Sequence, residues 1–306
     1  MIQLIAESGS TKTSWYLINE ENILWTGQTL GMNPYFANSS DLIIELKKIA
    51  DSFSWISEDN HTTHTLDTAV NEGRINLEIE SIDIIHFYGA GTSNPNTQSL
   101  LNDAFSKVFG MIPVRIETDI LAAARALFGS NEGIACIIGT GSNCAVYNGN
   151  GFSDFAPSLG FSLGDEGSAG YFGKRIIRDY YVHRLPSVIT SYLENNFDMD
   201  IHHTLDRMYR KKHGNAYIAS FSSLMAEFKD HEYVVDLIER GMEEFNVYQL
   251  GYFKSISQNR VGMVGSVAYF HQDRIRKCLS KYGWDLVKVI QHPIQELVGF
   301  HQNKMV

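Results

Sequence analysis

"IQLIAESGSTKTSWYLI" occupies residues 2–18. An apolar run ends on a carboxylate, Glu7. A small polar turn follows (Ser8, Gly9, Ser10, Thr11, Lys12), and a second apolar run starts at Thr13. Short apolar runs bounded by turn formers predict two strands joined by a tight turn. The pattern returns in "IACIIGTGSNCAVYNG" (134–149). Glu7-Ser8-Gly9-Ser10 aligns with Gly139-Thr140-Gly141-Ser142, 132 residues further on. Each copy is followed by another short strand candidate, "NILWTG" (22–27) or "GFSDF" (151–155). A duplication of this length predicts two similar domains rather than a solenoid.

Outward from the two turns, strands and helices mix, which makes the class α/β. "SSDLIIELKKIADSF" (39–53) has an N-cap serine and helical apolar spacing. Residues 56–80 are polar and read as loop and weak helix. "IDIIHFY" (82–88) is a buried strand, 97–110 a helix closed by glycine, "PVRIET" (113–118) a strand, and "DILAAARALFG" (119–129) a helix. Residues 166–257 are helix-rich. A strand at "RVGMVG" (260–265), a helix, a strand at "WDLVKVI" (284–290) and a final helix from Pro293 complete the chain. The domain boundary falls in a tight crossing near 115–120.

Composition narrows the function. At 306 residues and 44% hydrophobic, the chain can bury a real core. A net charge of -10 argues against nucleic-acid or anionic-membrane partners. It leaves room for a small anion held by backbone amides. No apolar run is long enough to span a membrane, and the N-terminus lacks the basic segment of a signal peptide. Three cysteines, an odd count, suggest a reducing cytoplasm. Cys136 and Cys144 lie in apolar runs and read as core. The eleven histidines contain no metal-ligand spacing and read as mainly solvated.

Four places could carry chemistry. Glycine-serine turns between strands expose backbone N–H groups and let a phosphate approach closely. The plainer alternative, a mere hairpin, loses ground because the turn repeats at domain spacing. Neither turn has Walker spacing. Asp119 stands where a strand gives way to a helix. There it could take a proton from a substrate hydroxyl, or simply cap the helix. Gly164-Asp165-Glu166-Gly167-Ser168 could recognise hydroxyls, or be an acidic helix start. Gly265-Ser266 in "VGMVGSVAYF" (261–270) could lie under a flat ring, or be close strand-to-helix packing.

Taken together, these segments resemble the N-acetylglucosamine kinase branch of the BadF/BadG/BcrA/BcrD-type ATPase family, within the actin, hexokinase and chaperone ATPase superfamily. "ESGSTKT" (7–13) matches a first phosphate motif and "GTGS" (139–142) a second. "GDEGSA" (164–169), "GSVA" (265–268), "YGAG" (88–91) and "ETDILAAARAL" (117–127) follow family segments. The resemblance implies two ribonuclease-H-like (actin-like ATPase) domains, a helical insert in the second, and a ligand cleft between them. The domains would be 1–118 with 291–306, and 119–290. It implies ATP and Mg2+ as cofactors, a small-molecule sugar as substrate, and a homodimer as a common state. Asp119 would be the general base. Ser10, Thr11, Lys12, Thr140, Gly141, Ser142, Gly265 and Ser266 would contact ATP, and Asn33, Asn143 and Asp165 the sugar. Glu7 would hold magnesium through water, where the family usually has aspartate. Glutamate reaches about 1.5 Å further, one carbon–carbon bond, and magnesium tolerates geometry poorly. The implied reaction is phosphorylation of an amino sugar, N-acetylglucosamine at the 6-hydroxyl before N-acetylmuramic acid, glucosamine or glucose. An iron–sulfur activator ATPase and a non-catalytic sugar sensor are the rival readings.

Overall fold

The computed structural model describes residues 1–9, 11–53, 79–255 and 258–304. Ser10 and most of the 56–80 stretch lie outside the described residues. Two compact units emerge, Met1–Ala126 with Pro293–Val306, and Leu127–His292. The division falls inside the helix Asp119–Phe128.

The first unit opens with β1 (Gln3–Ser8), β2 (Lys12–Ile18) and β3 (Ile23–Leu30), an antiparallel meander. Helix α1 (Ser39–Phe53) precedes β4 (Ile84–Gly89), α2 (Pro95–Phe109), β5 (Val114–Thr118) and α3 (Asp119–Phe128). The sheet order is β3-β2-β1-β4-β5, with β4 and β5 parallel to β1. Trp15, Phe87 and Phe105 fill the core on one face, and the Trp15 indole N–H donates to Thr29 Oγ1 at 2.9 Å. The helix cap expected at Ser39 belongs to Asn38. Its Oδ1 accepts from Asp41 N–H at 3.0 Å, while Asp41 Oδ2 accepts from Asn38 N–H at 3.2 Å. The reciprocal pair is a capping box one residue earlier than predicted.

The second unit repeats the plan. β6 (Glu132–Ile138), β7 (Ser142–Asn148) and β8 (Phe152–Phe155) form an antiparallel meander, and β9 (Arg260–Val264) and β10 (Asp285–Ile290) run parallel to β6. The order β10-β9-β6-β7-β8 is the first sheet's order, element for element. Both sheets have the ribonuclease-H-like plan, and the duplication read from the two turns holds throughout. Between β8 and β9 run α4 (Gly160–Leu163), α5 (Ala169–Tyr181), α6 (Ser187–Asn196), α7 (Ile201–Tyr209), α8 (Gly214–Ser220), α9 (Leu224–Glu227) and α10 (Glu232–Tyr248). They occupy the connection that holds α1 in the first unit. Helices α11 (Ser266–Phe270) and α12 (Gln272–Ser280) lead to β10. Cys136 and Cys144 face each other across β6 and β7 inside this core, their sulfurs 2.9 Å apart. The final helix, α13 (Ile294–Asn303), returns to the first unit and packs on β1 and β2.

The histidines correct one expectation. His202 and His203 are exposed, but His86, His271 and His301 are buried. His86 lies within the buried strand read at 82–88, which already pointed to its burial, whereas His271 and His301 lie in less uniformly apolar stretches. Among the described residues no helix is long and apolar enough to cross a membrane.

Candidate active site

In the first unit, Ser8 gathers three segments. Its hydroxyl accepts from Thr13 Oγ1 at 2.8 Å and from Met32 N–H at 2.9 Å. Its carbonyl accepts from Ala90 N–H at 3.1 Å. The turn closes on itself through Gly9 N–H to Lys12 O, and Gly31 N–H donates to Thr11 O. The Gly-Ser turn, the 31–33 segment and the 89–92 turn are thereby held as one corner. Asn33, buried, lies against Gly91: a Cβ on Gly91 would stand 2.6 Å from Asn33 Oδ1. Gly91 also has φ +79, so glycine is required twice over. Thr92 Oγ1 donates to Gly89 O and Glu117 O, tying this turn to the end of β5.

At that end stands Asp119, the first residue of α3. The capping role belongs to its neighbour, since Thr118 Oγ1 accepts from Leu121 N–H at 3.3 Å. Asp119 Oδ1 accepts from Ile120 N–H at 2.9 Å. Burial pushes the Asp119 carboxyl upward, against the pull of those backbone amides. Glu7 is pushed up to about 7, by burial first and then by the negative charge of Asp119; Lys12 pulls the other way. The corner therefore holds two carboxylates that repel each other, with a lysine close by.

Those two carboxylates test the fit of a dication. Magnesium is held by one or two carboxylates plus ligand phosphates and waters rather than by an all-protein cage. A corner with excess buried negative charge and no cluster of three metal-ligating side chains among the described residues fits that pattern.

In the second unit, the Thr140-Gly141 turn is also pinned, but by a distant carboxylate. Asp165 Oδ1 accepts from Ser142 N–H at 3.1 Å. A Cβ on Gly141 would stand 2.8 Å from Asp165 Oδ2, so only glycine admits this approach. Ala169 and Gly170 N–H donate to the Gly139 and Thr140 carbonyls, which seats the start of α5 on the turn. Ser168 caps α5, its Oγ accepting from Tyr171 N–H. Asp165 sits at φ 61 and its carboxyl is pushed up by burial, with Ser142 N–H and then Lys174 opposing. Glu166 accepts from Gln249 Nε2 at 3.0 Å. Ser142 is buried and its Oγ has no partner among the described residues. Asn143, next along β7, presents its side chain to the opposite face.

Gly265 joins the same corner. At φ +128 it packs so closely that a Cβ would stand 2.2 Å from the Ile138 carbonyl oxygen, one residue before the turn. Ser266 follows, exposed, at the start of α11. The structure thus groups Glu7, Thr11, Lys12, Asn33 and Asp119 in the first unit. Thr140, Gly141, Ser142, Asp165, Gly265 and Ser266 gather in the second.

Sequence reasoning passed over Tyr35. Its ring lies 2.8 Å from where a Cβ on Gly91 would stand, yet it is 61% exposed. An exposed aromatic ring beside Asn33 offers an apolar face to a sugar ring or acyl group. The signal was an aromatic two residues after the asparagine of "GMNP".

No family model and no curated protein matches the chain. Solved structures do. A candidate N-acetylglucosamine kinase from Porphyromonas gingivalis is 30% identical, with 100% of each chain covered and a TM-score of 0.84. A candidate N-acetylglucosamine kinase from Chromobacterium violaceum is 15% identical over 98% of each chain, with a TM-score of 0.72. A ROK family glucokinase from Streptomyces griseus, in complex with glucose and AMPPNP, is 14% identical over 98% of each chain, with a TM-score of 0.58. The last two share the fold.

Proposed function

The chain belongs to the N-acetylglucosamine kinase-like branch of the BadF/BadG/BcrA/BcrD-type ATPases, and from that premise we propose that it transfers the γ-phosphoryl group of ATP to an amino sugar. N-acetylglucosamine, at its 6-hydroxyl, is the first choice of acceptor. The observation that carries the reading is the carboxylate pair of Glu7 and Asp119 beside an amide-rich turn and a buried asparagine.

Each residue has a task that its position supports. Asp119 accepts the proton of the attacking hydroxyl. Its raised pKa moves it toward the range where a carboxylate is an effective base. Asn33 hydrogen-bonds a sugar hydroxyl or the acyl oxygen, and Tyr35 covers an apolar face. Thr11 and Lys12 meet phosphate oxygens in the first unit. Thr140, Gly141 and Ser142 do so in the second, where the otherwise unpartnered Ser142 Oγ supplies a donor. Asp165 Oδ2 accepts from a sugar hydroxyl, and Gly265 and Ser266 lie under adenosine. Glu7 would hold Mg2+, through water, and the ion would neutralise charge on the polyphosphate. Catalysis by such a set is mostly positioning, with little covalent work for the protein.

ATP consumption over a panel of N-acetylglucosamine, N-acetylmuramic acid, glucosamine and glucose tests the reading. The phosphorylated position is read by NMR. The expected result is turnover highest with N-acetylglucosamine and phosphate on O6. A panel in which no sugar raises ATP turnover above the sugar-free rate overturns it.

A further inference from the structure

We propose that the Tyr88 hydroxyl is a positioning group that links the C-terminal helix to α3 and so sets where Asp119 stands; this rests on the reading of Asp119 as the base. Every member lies in the first unit.

Tyr88 pairs in register with Glu7 on one side and Glu117 on the other. Register partners in a parallel sheet share a face, so Tyr88 stands in the row between Glu7 and the strand that leads to Asp119. It is fully buried. Arg125 Nη1 donates to its hydroxyl oxygen, and the hydroxyl lies 2.9 Å from His301 Nε2. The phenol has one proton. Because it accepts from arginine, that proton is available to His301, whose Nε2 accepts it in the tautomer that leaves this nitrogen bare. The result is a directional chain, Arg125 to Tyr88 to His301, across α3, β4 and α13.

The anchoring of Arg125 makes the hydroxyl matter. The guanidinium lies over the rings of Phe300 at 5.2 Å and Tyr88 at 5.6 Å. Ring faces attract the charge but do not fix its direction; the hydroxyl does. Its Nε is buried without a hydrogen-bond partner among the described residues. Arg125 is in the last turn of α3, a helix of ten residues whose first residue is Asp119. At the other end the Thr118 cap is long, at 3.3 Å. Arg125 is thus a second anchor for the pose of α3 besides the Thr118 cap, and a shift of about 1 Å in a reacting group can cost on the order of 100-fold in rate.

Tyr88→Phe removes the hydroxyl and keeps the ring. Two measurements separate positioning from plain stability. The first is amide hydrogen exchange, which needs no enzymatic activity. Ile120–Ala124 should exchange at least about tenfold faster, with α1 unchanged. The second is sugar-dependent ATP turnover, where kcat should fall about tenfold or more with both KM values within about twofold. Arg125→Lys, which keeps a donor for the Tyr88 hydroxyl, should lose less than Tyr88→Phe. Should Tyr88→Phe not fold, His301→Gln and His301→Leu carry the test: glutamine keeps an acceptor and should resemble the parent, leucine should not. Unchanged exchange in α3, or an equal increase in α1, overturns the proposal. A parent without sugar-dependent turnover would sink the kinase reading alone, and the exchange result would still decide the role of Tyr88.

Discussion

The two glycine-serine turns share a topology and differ in the carboxylates that serve them. In the first unit the acid is local: Glu7 is two residues before Gly9, and Asp119 raises its pKa further. In the second unit the aligned position is Gly139, and the carboxylate arrives from Asp165, already bound to Ser142 N–H. One turn keeps unspent negative charge, suited to a cation and a proton. The other spends its carboxylate on backbone, which stiffens the turn for an anion. A duplicated fold has thus given one plan two different carboxylate arrangements, and the predictions below test that difference.

The largest effect is expected at Asp119. If its charge is chemical and not structural, Asp119→Asn should lower kcat by about 10²–10⁴. Melting should barely move, since Thr118 caps α3 and asparagine can still accept from Ile120 N–H. Parallel measurement of turnover and thermal melting decides it. Parental turnover would return Asp119 to a helix-start residue, and the first turn would lose its distinction.

Glu7 comes next. Glu7→Gln should weaken Mg2+-dependent turnover by about 10–100-fold while sugar binding, by calorimetry, stays near the parent's. Glu7→Asp should keep activity or raise it, because the shorter side chain matches the usual residue of the family. Parental turnover of both variants at low Mg2+ would make Glu7 a strand-end residue without a metal role.

The positions of these two residues were legible in the sequence, an acid before a turn and an acid between a strand and a helix; their roles rest on the tests above. The duplication into two similar domains was legible too, because the strand–turn–strand pattern recurs at the first turn and at 134–149. What sequence could not show is contact at a distance. Ser8 reads as a turn residue, yet it ties three segments. Asp165 reads as a sugar contact, and its bond to Ser142 depends on α5 docking onto the turn. Gly265 reads as a nucleotide glycine, while the Ile138 carbonyl already excludes any side chain there. The Asn38 cap was missed by one residue because serine and asparagine both cap well.

The second turn gives the third test. Asp165→Ala should cost about 1–3 kcal/mol, because Ser142 N–H loses its acceptor. Asp165→Asn should cost less, since asparagine accepts the same bond and tolerates the positive φ. Urea denaturation of the pair, set beside Asp119→Asn, contrasts the units directly. Equal stability of the alanine and asparagine variants would mean that Asp165 does not hold the turn.

The smallest effect concerns acid, and it separates the units by their buried histidines. His86 and His301 lie in the first unit with rings 4.1 Å apart, and His271 lies in the second. Burial lowers all three, His86 and His271 to about 4 and His301 lower still. Arg115 and Arg125 face His86; His86, Arg125, Lys304 and Arg115 face His301; Arg274 faces His271. In the native state these rings stay neutral, whereas in the unfolded chain they take a proton near pH 6.5. Below that pH the unfolded state binds more protons, so stability falls as pH drops from about 6.5 toward the folded values. At pH 5 the loss is on the order of 1–2 kcal/mol per histidine. Folded Glu7, at about 7, and Asp119 take up protons over the same range and oppose this loss in the first unit, so in a Glu7→Gln, Asp119→Asn background the first unit, with two histidines, should lose about twice as much as the second. Hydrogen exchange at pH 7 and pH 5, corrected for intrinsic rates, reads this as a larger loss of protection in β4 and α13 than in α12. Equal losses in the two units would show that the histidine pair does not set the acid limit, and that the asymmetry between the units stops at their turns.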